Sequence, residues 1–113
     1  MLVAISIPIF TSQLEKSREA TDMANIRSAY AEVTADYLLD DTKDYSKDVK
    51  IVSNPKDWKS DSTAELNGKT YNTLISQASK AGDTITVTCK AGVVKVGNED
   101  VTTNATSATP SAE

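Results

Sequence analysis

Leu2-Val3-Ala4-Ile5-Ser6-Ile7-Pro8-Ile9-Phe10 opens the stretch on which the reading of this chain turns, Met1 to Asp40. The run is apolar except for Ser6 and passes, with no Gly and no second Pro, into a long segment of helical periodicity. A helix that spans a bilayer needs about 20 apolar residues, so this run alone does not cross one. A contiguous exposed apolar patch marks a partner surface. The run therefore reads either as the end of a longer hydrophobic segment or as a hydrophobic plug that meets other chains. The plainer alternative is a disordered or core-buried N-terminus. A secretory signal does not fit, because no basic region precedes the run and no small-x-small site ends it. Pro8 lacks an N–H and crowds the preceding turn, so a kink or interruption is expected there.

Beyond the run, Thr11 or Ser12 can cap a restarted helix, with Glu15 three residues after Ser12 as in a capping box. Met23, Ile26, Tyr30, Val33 and Tyr37 recur at steps of three and four, which places one apolar stripe on one helix face. Ala20, Ala24 and Ala29 allow close approach beside it. Glu15, Lys16, Arg18, Glu19, Asp22, Arg27, Glu32 and Asp36 are left mostly for the other surfaces, with Arg18 and Asp22 spaced to pair. Gln13 to Thr21 is polar nearly all round apart from Leu14 and Ala20. A helix without an apolar face is not stable alone at this length. The expectation is that 1–22 projects from the domain and is supported by neighbouring copies, while the part from Met23 onward packs on its own head, 23–101. The charged surface from Glu15 to Asp22 would then set the register between neighbours.

The apolar run LVAISIPIF (Leu2 to Phe10), followed without a linker by the polar helix that ends NIRSAYAEV (Asn25 to Val33), resembles the type IV pilins and the related pseudopilins. The likeness covers the first third of the chain closely and the rest in outline. It implies a long N-terminal α-helix packed on a small C-terminal antiparallel sheet, an α+β fold of pilin type. It also implies a helical homo-oligomeric filament on the cell surface, a pilus assembly machinery as partner, and insertion in the inner or cytoplasmic membrane before assembly. Under that likeness Leu2, Val3, Ile5, Ile7, Pro8, Ile9, Phe10 and Leu14 would form the filament core. The sequence departs from the family pattern at three points. The leader peptide and the phenylalanine–threonine–leucine–isoleucine–glutamate start are absent, as if the extreme N-terminus were missing, so the family's register glutamate has no counterpart here. The C-terminal cysteine pair of many pilins is also absent.

Composition narrows the function classes. A length of 113 residues suits one small domain, and the low aromatic content, 5%, limits burial per residue, so stability should be marginal. The net charge of −4 argues against general nucleic-acid affinity. Cys89 is the single cysteine, so no intrachain disulfide can form, and the chain has no His, the commonest general base and metal ligand.

After Leu38-Leu39, Asp40 to Asp48 reads as an acidic loop. Its Asp40, Asp41, Asp44 and Asp48 do not have the spacing of a calcium-binding EF-hand loop. Val49 to Ser53 alternates as a short strand that Asn54-Pro55 breaks. Trp58, in a polar stretch, is either an anchor that holds the loop or a ligand platform, and loop aromatics are more often anchors. Asn67-Gly68 signals a turn. Thr70 to Ala81 carries Leu74, Ile75 and Ala78 at helical spacing, with Gly82 as a C-cap.

Thr84 to Lys90 is the clearest strand, with Ile85, Val87 and Cys89 on one face and threonines on the other. Ala91-Gly92 turns the chain and Val93 to Val96, with Val94 and Val96 inward, returns as its partner. Cys89 reads as a small buried hydrophobe, since nothing is available to activate it. The expected helix–sheet core is thus Met23, Ile26, Tyr30, Val33, Tyr37, Ile85, Val87, Cys89, Val94 and Val96. Val101 to Glu113 is a low-complexity Ser/Thr/Ala stretch that cannot bury enough apolar area to fold, so 102–113 is expected to be a disordered tail beyond the head, and Asn104-Ala105-Thr106 matches a glycosylation pattern.

No catalytic, phosphate-cradling or zinc-binding constellation emerges, and no cofactor is expected. The leading expectation is a structural filament subunit. The alternatives are a pseudopilin of a type II secretion or DNA-uptake machine, and a membrane-anchored surface module that binds through the Trp58 region or the acidic loop. An enzyme is disfavoured.

Overall fold

The computed structural model describes residues 3–102, with side chains for residues 13–102. The first element, α1 (Val3–Leu39), is one helix of 37 residues. It is followed by strand β1 (Tyr45–Lys50), the hairpin β2 (Glu65–Leu66) and β3 (Lys69–Thr70), and the short helix α2 (Tyr71–Ile75). Then come β4 (Thr84–Lys90), β5 (Val93–Val96) and β6 (Glu99–Asp100). The fold is α+β: a four-stranded antiparallel sheet, order β1-β4-β5-β6, packs one face on α1.

The register explains the face. Tyr45, Lys47 and Val49 stand opposite Cys89, Val87 and Ile85, and Val94 and Val96 opposite Cys89 and Val87. With a side-chain period of two, these share the inner side. Ile85, Val87, Cys89, Val94 and Val96 are buried there against Ile26, Ala29 and Val33 of α1. Met23, Tyr30 and Tyr37 are only partly buried at the margins of the same core. Burying each Ile or Val contributes about 1.5–3 kcal/mol, so this stripe carries most of the helix–sheet adhesion. The other sheet face is left to Thr84, Thr86, Thr88 and Lys90, exposed or half-buried.

A second set of core residues comes from the connections. Ile51, Leu66, Tyr71, Leu74, Ile75, Ala78 and Val101 are all buried. They join the same core cluster as the sheet residues, and Trp58 packs against that cluster from the loop with its indole N–H donated to the Asp61 carbonyl at 3.3 Å. Trp58 is thus an anchor.

Several expectations are corrected. The interruption does not occur: the helix is continuous through Pro8 and does not restart at Thr11 or Ser12. Pro8 lies in the second turn, where its missing N–H removes only the bond to Ala4. Tyr45 to Asp48 is strand rather than acidic loop, because β4 offers it a partner edge. The expected strand Val49–Ser53 ends early. Ile51 still pairs, donating to the Asp83 carbonyl at 2.8 Å, but Val52 and Ser53 turn their N–H groups away from the sheet. The helix expected over Thr70–Ala81 stops at Ile75, capped at its start by the Thr70 hydroxyl, which accepts from Thr73 N. Gly82 is therefore not its cap and sits in the turn into β4, where its N–H bonds Ile51 O at 2.7 Å. Val101 is fully buried, not part of the tail, and β6 precedes it. Residues 103–113, with the Asn104 pattern, lie outside the described residues.

Asn67 and Gly68 both take positive φ, 49° and 91°, as do Ala91 and Gly92, 51° and 83°. Both are the two-residue hairpin turns whose twist matches the flanking strands.

Candidate functional site

The expected assembly residues Leu2, Val3, Ile5, Ile7, Pro8, Ile9 and Phe10 lie outside the described side chains, and Leu14 is 39% exposed. The described site of interest is the junction just after them, where α1 meets the head.

The buried face of α1 does not begin at Met23. Reading upstream from Val33, Ala29 and Ile26, the same face continues through Asp22 and Glu19, both at 0% exposure, to the half-buried Glu15. The spacing from Glu15 is four, three, four, three and four, one uninterrupted helix face whose chemistry changes from apolar to acidic. Each carboxylate meets backbone donors of the loop that follows β1. Asp22 Oδ1 accepts from Val52 N and Oδ2 from Ser53 N, both at 2.9 Å. Glu19 Oε2 and Oε1 accept from Lys59 N and Ser60 N, both at 2.7 Å. Glu15 Oε2 accepts from Asn54 N at 2.6 Å.

A buried carboxylate without partners would be expensive. Here each oxygen of Asp22 and Glu19 has a charge-assisted bond, the stronger class of hydrogen bond. In return, the loop's N–H groups find acceptors that no strand supplies. One group is left out: the Ser53 hydroxyl is buried with no partner among the described residues. Arg18, expected to pair with Asp22, instead reaches Glu15 at 3.5 Å. Along this face the patch from Glu15 to Asp22 is therefore not a free surface, whereas Lys16 and Arg18 on the same turns remain exposed. Its acidic members tie α1 to its own head. The periodicity was available in the sequence; acidic residues at core spacing were the signal.

The head's other carboxylates are used in tight turns. Asp40, Asp61 and Asp100 each accept from the backbone N–H of the threonine two residues on, at 3.0, 2.8 and 2.8 Å. The threonine side chain, and then this N–H, hold each carboxyl below its ordinary pKa. Asp83 is lowered first by the Ser79 N–H and then by Lys80. Burial pushes the Cys89 thiol up, and Asp44 adds to it, so it is held as an inert thiol. Burial also raises the Tyr45 phenol, followed by the charges of Asp40, Asp36 and Asp41. Among the described residues no group of acidic, His or Cys side chains is arranged to hold a metal ion, and no helix is long and apolar enough to cross a membrane.

Compared with protein-family models, curated proteins and solved structures, the chain matches none.

Proposed function

We propose that this chain is a structural subunit of an extracellular filament of type IV pilus kind, assembled by packing its apolar N-terminal helices. One observation carries the reading. The apolar run and the head share a single helix, Val3–Leu39, with no linker, and the acidic face from Glu15 to Asp22 ties that helix to the head. At 1.5 Å per residue the helix is about 55 Å long. A rigid stalk of this kind places the head at a set distance and angle from wherever the apolar run is buried.

The energetics favour association. Leu2, Val3, Ile5, Ile7, Ile9 and Phe10 at about 1.5–3 kcal/mol each give roughly 9–18 kcal/mol on full burial. Association costs about 4–15 kcal/mol in lost freedom. Packing of several copies, after residence in a membrane and delivery by an assembly machinery, is the arrangement that uses this surface. No catalytic step is assigned to the chain.

The test replaces Ile5 and Ile9 with Asp in the full-length chain and looks for filaments by electron microscopy. The head is expected to fold, with unchanged urea unfolding of its core, while filaments disappear. Normal filaments from the double variant would overturn the proposal.

A further inference from the structure

Two exposed surfaces on the head are complementary. At the end of α1, Leu38 and Leu39 are 78% and 85% exposed, the most exposed large apolar side chains among the described residues. Asp36, Asp40, Asp41 and Asp44 surround them in sequence, and only Asp40 has an ion-pair partner among the described residues, Lys43 at 3.8 Å. The charges of Asp40, Asp36 and Asp41 converge on the Tyr45 phenol, whose hydroxyl donates to the Asp40 carbonyl, so this tip is a concentrated acidic region around an apolar pair.

On the outer sheet face, an open cleft of about 320 Å³ is lined by Thr88, Lys90, Val93 and Lys95. Val93 is 39% exposed at its centre. Neither Lys90 nor Lys95 has an ion-pair partner among the described residues; Asp100 stands opposite Lys95 in the β5–β6 register, and Lys90 has no acidic residue opposite it. One surface is apolar with an acidic rim and the other apolar with a basic rim.

We propose that the Leu38–Leu39 tip of one chain docks in the Val93 cleft of a second copy, with Asp36 and Asp41 facing Lys90 and Lys95. Complementary rims of this kind select the partner and suppress like-with-like pairing. Tip and cleft are different surfaces, so the contact is heterologous, and each chain that uses its tip keeps its cleft for the next. The contact rests on the filament reading only in expecting many copies rather than two.

The test is disulfide trapping in the full-length chain. Leu39→Cys is mixed with Val93→Cys under mild oxidation, and the joined peptide between positions 39 and 93 is identified by mass spectrometry. Both positions are exposed, so both variants are expected to fold, with unchanged circular dichroism. The mixture should give about tenfold more heterodimer than Leu39→Cys mixed with Glu65→Cys, another exposed position, because docking raises the local concentration of the pair. Adding Lys90→Glu and Lys95→Glu to the cleft partner should lower the yield about tenfold, and Asp36→Lys with Asp41→Lys in the tip partner should restore it. A yield equal to the control pair, or one indifferent to both charge reversals, overturns the contact. A cross-link that rises from background only when 103–113 are removed makes the chain's own tail the occupant and likewise overturns it. Filaments without the cross-link remove this contact alone, whereas the cross-link without filaments removes the filament reading alone.

Discussion

Asp22→Ala removes the carboxylate that accepts from Val52 N and Ser53 N at 2.9 Å, and its effect follows from that geometry. Alanine leaves the buried Ser53 N–H and the part-buried Val52 N–H without this acceptor. A bond to a charged group contributes about 1.5–3 kcal/mol net, and an unsatisfied buried donor costs about 1–3 kcal/mol. Release of the carboxylate's own desolvation cost offsets part of this, so the expected loss is about 3 kcal/mol. A domain of this size is stable by about 5–15 kcal/mol, which makes the loss a large fraction of the total. Asp22→Asn should fall between, since one amide oxygen can serve one donor while its NH2 opposes the other. Urea unfolding provides the assay with two probes. Trp58 fluorescence reports the clamped loop, and far-UV circular dichroism reports α1. The Trp58 transition should move to lower urea by about 1–3 M at an m-value of about 1–3 kcal/mol/M, and the helix signal should follow. Asp57→Ala, which removes only the exposed pair with Lys59 at 3.0 Å, is the control and should cost less than about 1 kcal/mol. An Asp22→Ala midpoint within the error of the control would refute the view that the acidic helix face holds the head.

Ser53→Ala should be neutral or stabilise by up to about 1 kcal/mol in the same assay, because it deletes a buried hydroxyl that has no partner while leaving the N–H to Asp22 in place. Gly97→Ala should cost about 1–3 kcal/mol by thermal melt: φ there is +62°, and an added Cβ would lie 2.5 Å from Gln77 Oε1, which already accepts from Asn98 N. Asp40, Asp61, Asp83 and Asp100 have folded pKa values below their ordinary ones, so the unfolded chain binds more protons as the pH falls. Their contribution is therefore complete above the ordinary carboxylate pKa of about 4 and is lost below it, and melts between pH 7 and 2 should show stability falling only at the acid end. A melting temperature that rises on acidification would contradict the assignment.

Much of the fold was legible because it rests on short-range signals. The stripe Ile26–Val33, the alternation over Ile85–Cys89 and the turns at Asn67-Gly68 and Ala91-Gly92 each declare their structure within a few residues. What escaped depends on partners distant in sequence. Val52 and Ser53 look like a strand continuing Val49–Ile51 until Asp22, thirty residues upstream, takes their N–H groups. Glu19 and Asp22 look like solvated charges until Lys59, Ser60, Val52 and Ser53 arrive. Val101 looks like the start of a polar tail, yet its N–H bonds Val94 O at 2.8 Å and its side chain closes the core. Hydrophobic periodicity alone cannot find such sites, because the residues that mark them are polar and their backbone partners carry no side-chain signature.

The acidic face of α1 also bears on how the molecule would carry load. Val52, Ser53, Asn54, Lys59 and Ser60 approach the helix from its side, so their bonds to Asp22, Glu15 and Glu19 lie across the axis. A pull along α1 would shear these bonds together, with the apolar contacts of Ile26, Ala29 and Val33 beside them, rather than peel them open one after another. Resistance to forced unfolding is set by the rate of crossing that barrier and not by equilibrium stability. Pulled along α1, the helix is therefore expected to stay with its head until these lateral bonds give together, whatever the equilibrium stability of the head.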